Sequence, residues 1–396
     1  MFLEFAWNAW EKRKLGEVAD IVGGGTPSTS RPEYWNGEID WYAPAEIGTQ
    51  RYVYKSRRQI TELGLEKSSA VMLPANKTIL FTSRAGIGNA AILTSPATTN
   101  QGFQSMIVNS NTDTYFLYSK IPDIKHKAIR VAAGSTFLEI SGKSLSKIPI
   151  KLPIFEEQVK IGRLFLKIDN LIAATQDKKK NLKYLRESIV LRLLDQDFNL
   201  INDSVPWKES RLGELVTFRK GRGYSKNELT FSGTPIILYG RLYTNYQVVI
   251  DNITDTFVKE HSDSVKSSGG DVIIPSSGET ATDIARASSI TRPDIILGGD
   301  LIVLNFNTNL INSPFLALSL SSGKRKSYLS RHAQGKSVVH LQNESLASLS
   351  LKLPSPDTQA RIAEIILQID KIIVQYDEKV TLLQRLKKML LQGLFI

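Results

Sequence analysis

A chain of 396 residues, 42% hydrophobic and 22% charged, has enough apolar material for two ordinary globular domains, and its formal net charge of +11 favours a polyanionic partner. The absence of cysteine excludes disulfides, thiolate zinc sites and cysteine nucleophiles, and no apolar run approaches the ~18 residues of a membrane-spanning helix. The opening MFLEFAWNAWEKRK is too short and too acidic early on for a secretory signal, so a cytoplasmic location and no membrane contact are expected.

In chain order, the first signal is WEKRKLGEVADIVGGG, Trp10 to Gly25, which recurs ~200 residues later as WKESRLGELVTFRKGR, Trp207 to Arg222. Short β-type runs follow each copy: EIDWYAPAEI, TILFTS, AAILTS and SMIV in the first, TPIILYG, YQVVIDNI, GDVIIPS and DLIVLNF in the second. Gly, Pro, Ser, Asn and Asp punctuate them, as strands and turns require. A second matched stretch then runs from Gly134 to Leu194 and from Gly335 to Phe395; Leu152-Pro153, Gln158 and Ile168-Asp169 return as Leu353-Pro354, Gln359 and Ile369-Asp370. Between these matched ends the two copies barely resemble each other. The chain is thus one frame with different inserts, used twice, and the expected segments are 1–154, a helix 155–195, a linker 196–206, a second domain 207–355 and a helix 356–396.

Each helix carries a heptad pattern. Ile161, Leu164, Ile168, Leu171, Leu182, Leu185 and Ile189 alternate steps of three and four, with Thr175 and Lys178 as polar interruptions; Ile362, Ile365, Ile369, Ile372, Leu383, Leu386 and Leu390 do the same, with Tyr376 and Lys379 between. The short linker places the second domain near the end of the first helix, so the helices are expected to pair antiparallel. About forty residues at ~1.5 Å each make a spacer of about 60 Å. The fold class read from this is α+β: two tandem-repeat recognition domains, each followed by a long helix, the helices forming an antiparallel coiled coil. Two separated modules on a basic protein suit two half-sites of double-stranded DNA.

These strings, with SRAGIG, NQGF, GSTFLEISGKSLSKIPIKLP, AQGKSVVHLQNESLASLSLKLPSPDTQARI and LLQGLF, resemble the specificity subunit of type I restriction-modification systems, over essentially the whole chain. The resemblance implies two target-recognition domains that each read half of a split DNA sequence. It implies docking of two adenine-N6 methyltransferase subunits, to which two restriction (motor-nuclease) subunits can be added, and a chain that is itself non-catalytic. Where the first copy has IFEEQ the second has SPDTQ, which leaves Asp357 as the expected N-cap of the second helix. The alternative reading is a coiled-coil adaptor that binds protein rather than DNA.

The catalytic motifs of such enzymes are missing. No Pro-Pro occurs, as an adenine methyltransferase motif needs, and no Glu-x-Lys, as a nuclease needs. Gly142-Lys143-Ser144 and Gly335-Lys336-Ser337 lack the upstream glycine of a P-loop, with Phe137 and Ser330 in its place. GIGNAA at Gly86–Ala91 precedes a β-like, proline-broken run rather than a helix, and the four histidines lack metal-ligand spacing; no cofactor or metal is expected.

Candidate DNA contacts lie on loops. Thr26 and Ser28 of GGGTPS offer hydroxyls for phosphate, or mark a tight turn. Arg84, on a turn after a buried strand, suits guanine or phosphate, and Gln101 suits adenine or holds a loop. In the second copy Lys220, Arg222 and Tyr224 cluster in RKGRGYS, and YGRLYTNY interleaves Arg241 with Tyr243; the alternative is an exposed strand with half-buried tyrosines. Ser276 and Ser277 hold the turn that corresponds to Arg84, without its arginine. The basic run SGKRKSYLSR reads as a solvated helix face.

Overall fold

The structure, a computed structural model, describes residues 10–134, 138–195 and 207–395. The expected linker 196–206 lies outside them. The chain forms two compact units that cut across the repeat: Met1–Thr175 with Lys379–Ile396, and Gln176–Glu378. Each long helix, Phe155–Asp195 and Pro356–Phe395, therefore contributes to both.

In the first unit a five-stranded sheet has the order Ala19–Gly23, Gln104–Val108, Thr78–Phe81, Ala90–Leu93, Tyr52–Val53; only the last pair is parallel. TILF and AAIL are buried throughout, which explains their unbroken apolar character. A three-stranded sheet, Arg58–Ile60, Trp35–Tyr42 and Thr98–Thr99, forms around a small aromatic core with Trp35 and Trp41 edge to face. The second unit repeats the five-stranded sheet with the same order and directions: Val216–Lys220, Leu301–Phe306, Val272–Pro275, Ser288–Ile290, Val249–Ile250. Its second sheet differs, with five strands in place of three.

The shared glutamine explains the recurring Pro-x4-Gln. Gln158 is buried; its Nε2 donates to the Pro153 carbonyl (3.0 Å) and its Oε1 accepts the Asp113 N–H (3.1 Å), while Asp113 Oδ1 caps the Thr114–Ser119 helix through Phe116 N–H (2.7 Å). Gln359 does the same with Pro354 (3.0 Å) and Asn312 (2.8 Å), and Asn312 caps Ser313–Leu320 through Phe315 N–H (3.0 Å). Each glutamine ties the start of a long helix to a capped helix of its domain.

The expected seam is half displaced. Ile161, Ile168 and Ile362 are buried, and Leu182, Ile189, Ile369, Leu383 and Leu390 half-buried. Leu164, Leu171, Leu185, Ile365, Ile372 and Leu386 are exposed instead, Leu164 at 42% and Leu185 at 52%. The packed positions lie one residue further on: Phe165, Ile366, Ile373 and Val380 are buried and Ile172 half-buried. Both sets are apolar, so the spacing alone could not choose between a step of three and a step of four. The same shift moves Lys178 out and Lys179 and Arg186 in. Within the second unit Lys179 pairs with Asp377 and Arg186 holds Asp370 through both carboxylate oxygens, Nη2 to Oδ2 at 2.9 Å. Seven residues down one helix match seven up the other, so the pairing is antiparallel. Within the first unit Lys387 Nζ donates to Asp169 Oδ1 (2.6 Å). Asp169 and Asp370 hold the same place in the repeat, as do Arg186 and Lys387. A further correction concerns the cap: Ser355 Oγ accepts the Thr358 N–H (3.3 Å), Pro356 opens the helix, and Asp357 lies within its first turn.

The first unit also buries a charge. Lys120 is 1% exposed, its Nζ 5.1 Å from the Trp10 ring centroid and 5.5 Å from that of Phe116. Burial lowers its pKa from 10.5 to about 8. The unfolded chain holds this proton up to the higher value while the folded unit releases it near the lower one, so stability rises with pH across that window and is level in this respect below it. Lys120→Met is expected to remove that rise, on the order of 3 kcal/mol, in denaturant titrations across the window. An unchanged rise would assign it to another group.

Candidate nucleic-acid interface

Both five-stranded sheets end in the same close approach. Gly24 follows Ala19–Gly23 and passes so near Asn100 that an added β-carbon would overlap its carbonyl oxygen; Gly221 follows Val216–Lys220 and meets the Gly298 carbonyl in the same way. Only glycine fits such a crossing. The neighbouring bonds correspond too: Gly25 N–H to Thr99 O (2.8 Å), and Arg222 N–H to Leu297 O (3.0 Å). On the next turn Ser83 N–H bonds Gly102 O (2.8 Å) and its carbonyl accepts Ile140 N–H (3.0 Å); Ser276 N–H bonds Asp300 O (2.8 Å) and its carbonyl accepts Leu341 N–H (2.9 Å). Arg84 is thereby matched to Ser277.

In the first unit this frame brings Thr26, Gln101 and Arg84 together. The Thr26 hydroxyl donates to Gln101 Oε1, both residues being exposed. Arg84 is half-buried, and a β-carbon on Gly102 would stand 3.3 Å from its Nε. Its turn is set by left-handed residues Ala85 (φ 52°), Gly86 and Gly88, with Thr82 Oγ1 donating to the Gly86 carbonyl (2.6 Å) and accepting the Asn89 N–H (2.9 Å). Among the described residues the Arg84 side chain has neither an ion pair nor a hydrogen bond. Ser28 lies on the adjoining loop, its hydroxyl 2.8 Å from that of Ser30 and its carbonyl accepting Trp35 Nε1 (3.1 Å).

The sequence reading missed a neighbouring stretch. Tyr54-Lys55-Ser56-Arg57-Arg58 is exposed apart from Ser56, with Tyr54 at 71%. Ser56 Oγ anchors it on Asp40 (2.8 Å), Arg57 N–H reaches Glu46 Oε2 (2.6 Å), and Arg58 stacks 3.6 Å over the Trp35 ring. Its basic and aromatic composition was the available signal.

In the second unit the residues divide between two clefts. Lys220, Ser276 and Ser277 line one of about 260 Å³ with His340, whose Nδ1 lies 3.0 Å from Ser277 Oγ. Tyr224, Arg241 and Tyr243 line the other, about 700 Å³, with Lys226 and Tyr239. Tyr224 is turned to its own fold: at φ 62° its ring stacks on His261 and its hydroxyl accepts the His261 N–H (2.7 Å). The arginines are paired, Arg222 with Asp263 (3.1 Å) and Arg241 with Asp255 (2.6 Å). The Arg241 side chain is only 11% exposed. Burial, with Tyr239 and Glu279 near, raises the Tyr243 pKa and keeps its hydroxyl a donor.

The sequence profile of the type I restriction modification DNA specificity domain matches residues 8–184 and again residues 204–385. The chain belongs to this family. Its two copies of the specificity domain are the two halves of the repeat. The chain is 34% identical over 247 residues to the specificity subunit of type I restriction enzyme MjaIX of Methanocaldococcus jannaschii, covering 57% of this chain and 56% of that protein. It is 32% identical over 176 residues to the EcoR124I/EcoR124II specificity subunit of Escherichia coli, 43% of each. The matches thus span about half the length of these relatives. The crystal structure of a type I system S subunit from M. genitalium shares the fold, with a TM-score of 0.65 at 18% identity over 100% of this chain and 98% of that one.

The glycine crossing yields a prediction. Gly24→Ala forces the first crossing apart and Gly221→Ala the second. Each is expected to destabilise its own unit by about 2 kcal/mol or more and to displace the loop that follows. Thermal unfolding and proteolysis of the two variants would check this, and a variant as stable as the parent would show that the loop moves freely.

Proposed function

We propose that this chain is the DNA-recognition subunit of a type I restriction-modification complex, non-catalytic itself, reading a bipartite duplex target with one half-site per module. The observation that carries this reading is the repeated frame with unlike loop equipment. The crossing glycine, the serine turn and the helix-anchoring glutamine recur, whereas Arg84 with Gln101 in one copy faces Ser277 with paired arginines in the other. A common frame suits what the half-sites share, the phosphate backbone; unlike side chains suit what differs, the base edges. The segments proposed for recognition are 1–154 and 207–355, with Thr26, Ser28, Arg84 and Gln101 in the first and Lys220, Arg222, Tyr224, Arg241, Tyr243, Ser276 and Ser277 in the second. Arg84 is the leading base contact because, among the described residues, its guanidinium has no partner to leave; Arg222 and Arg241 must first part from Asp263 and Asp255. The partners proposed are two adenine-N6 methyltransferase subunits and, where the system restricts, two motor-nuclease subunits, in the cytoplasm.

The test is methylation mapping. The chain is co-expressed with its methyltransferase subunit in a host free of methylation, and N6-methyladenine is located by long-read sequencing. A split motif with a fixed gap, absent without this chain, is the expected result; a stable complex that binds DNA with neither sequence preference nor salt dependence would favour the protein adaptor. Arg84→Ala is expected to relax one position of the first half-site only, by about 1–3 kcal/mol, measured by competition between duplexes differing at that position.

A further inference from the structure

The matched turns place Asp300 where the first module has Gly102, since these two carbonyls accept the Ser276 and Ser83 amides. Gly102 has no room for a side chain: a β-carbon there would stand 2.6 Å from Pro44 Cγ and 3.0 Å from Asn100 Oδ1. Asp300 instead carries an exposed carboxylate on left-handed backbone, φ 59°. Such a conformation is free for glycine and costs aspartate less than most other residues, and two glycines, Gly298 and Gly299, stand directly before it. The hydrogen bond to Ser276 holds it there.

Glu279 and Glu344 line the same clefts as further exposed carboxylates, but Asp300 differs from them in its place on the matched turn and between the two clefts. Asp255, Asp263 and Asp271 each pair with an arginine. Among the described residues Asp300 has neither an ion pair nor a hydrogen bond to its side chain, although Lys220 lines the same cleft. Asp300 is also the residue shared by the two clefts of the module, between Lys220 and Ser276 on one side and Tyr224 and Tyr243 on the other. A bare carboxylate weakens a surface that only neutralises phosphates. It strengthens one that must accept a hydrogen from a base edge, and in the major groove those donors are the exocyclic amino groups, cytosine N4 and adenine N6.

We propose that Asp300 is a specificity-determining residue of the second module, accepting a hydrogen bond from the exocyclic amino group of one base in its half-site. This rests on the reading of the chain as a DNA specificity subunit. The first module, with Gly102 at this place, would lack that contact and depend on Arg84 and Gln101.

The experiment uses the full-length chain in complex with its methyltransferase subunits and a duplex library randomised over the second half-site, the first being held constant. Asp300→Ala and Asp300→Gly are expected to lose about 10-fold discrimination at one base pair, with every position of the first half-site unchanged. Asp300→Gly relieves the left-handed backbone, so its melting temperature should equal or exceed that of the parent, and its loss of discrimination cannot be ascribed to unfolding. Asp300→Asn separates the two sources: an amide gains a second bond to adenine, through N6 and N7, whereas for cytosine N4 it is only a weaker, neutral acceptor, so preference rises for adenine and falls for cytosine. An unchanged preference at every position, or an affinity change uniform across sequences, overturns the proposal while leaving the parent reading intact. A wild-type complex without any sequence preference overturns both.

Discussion

The constraint on which the structure depends is that neither module completes its core from its own repeat. Val190, Leu193 and Leu194, at the end of the first helix, are buried in the core of the second unit with Leu212, Leu316 and Ile362. Leu390, Leu391 and Leu394, at the end of the second helix, pack on the core of the first with Phe116, Ile161 and Phe165. Each apolar contact is of the kind that stabilises by about 25 cal/mol per Å² removed from water, so shortening either helix weakens the module it does not follow in sequence. The ion pairs repeat this exchange: Asp169 takes Lys387 in one unit and Asp370 takes Arg186 in the other. Asp169 also accepts the Tyr115 hydroxyl (2.8 Å), and Arg51 reaches both Tyr115 (3.2 Å) and Asn170 (2.9 Å), so the helix is tied to the loop that leads into the Tyr54–Arg58 stretch.

The frame and the loops obey different physics. The crossing glycines, the serine turns and the buried glutamines are backbone-directed devices: they position chain segments whatever side chains follow. That is why they recur in both copies while the inserts diverge. The loops they hold differ mainly in how charge is managed. Among the described residues Arg84 of the first module stands without an acidic partner; in the second, Arg219, Arg222 and Arg241 are each paired with an aspartate, while Asp300 is not paired. A net positive charge is therefore a poor guide to which residue touches a base, because many of the cations are committed to carboxylates within the fold.

Much of this was legible in the sequence, and the remainder fails for identifiable reasons. The repeat, the strand runs TILF and AAIL and the paired long helices follow from pattern and motif; Thr26, Arg84 and Gln101 were picked out singly, and their proximity is a product of the fold. The seam was displaced because Leu164 and Phe165, or Ile365 and Ile366, are adjacent apolar residues, and only packing decides which turns inward. The cap at Ser355 was hidden behind Pro356, which allows the helix to begin two residues earlier than a cap at Asp357 would. The pairing of Arg241 with Asp255 and of Arg222 with Asp263 joins residues far apart in the sequence, and no spacing rule reports it. Asp300 was overlooked because a lone acidic residue after two glycines reads as an ordinary turn.

The exchange of helix ends also bears on synthesis. The first module leaves the ribosome long before Leu390, Leu391 and Leu394, which lie beyond the entire second module. At ≈ 5–20 residues per second, the ~200 residues between Thr175 and Lys379 take on the order of 10–40 s. For that interval the first module carries an uncovered apolar face, open to aggregation, proteases and chaperone capture.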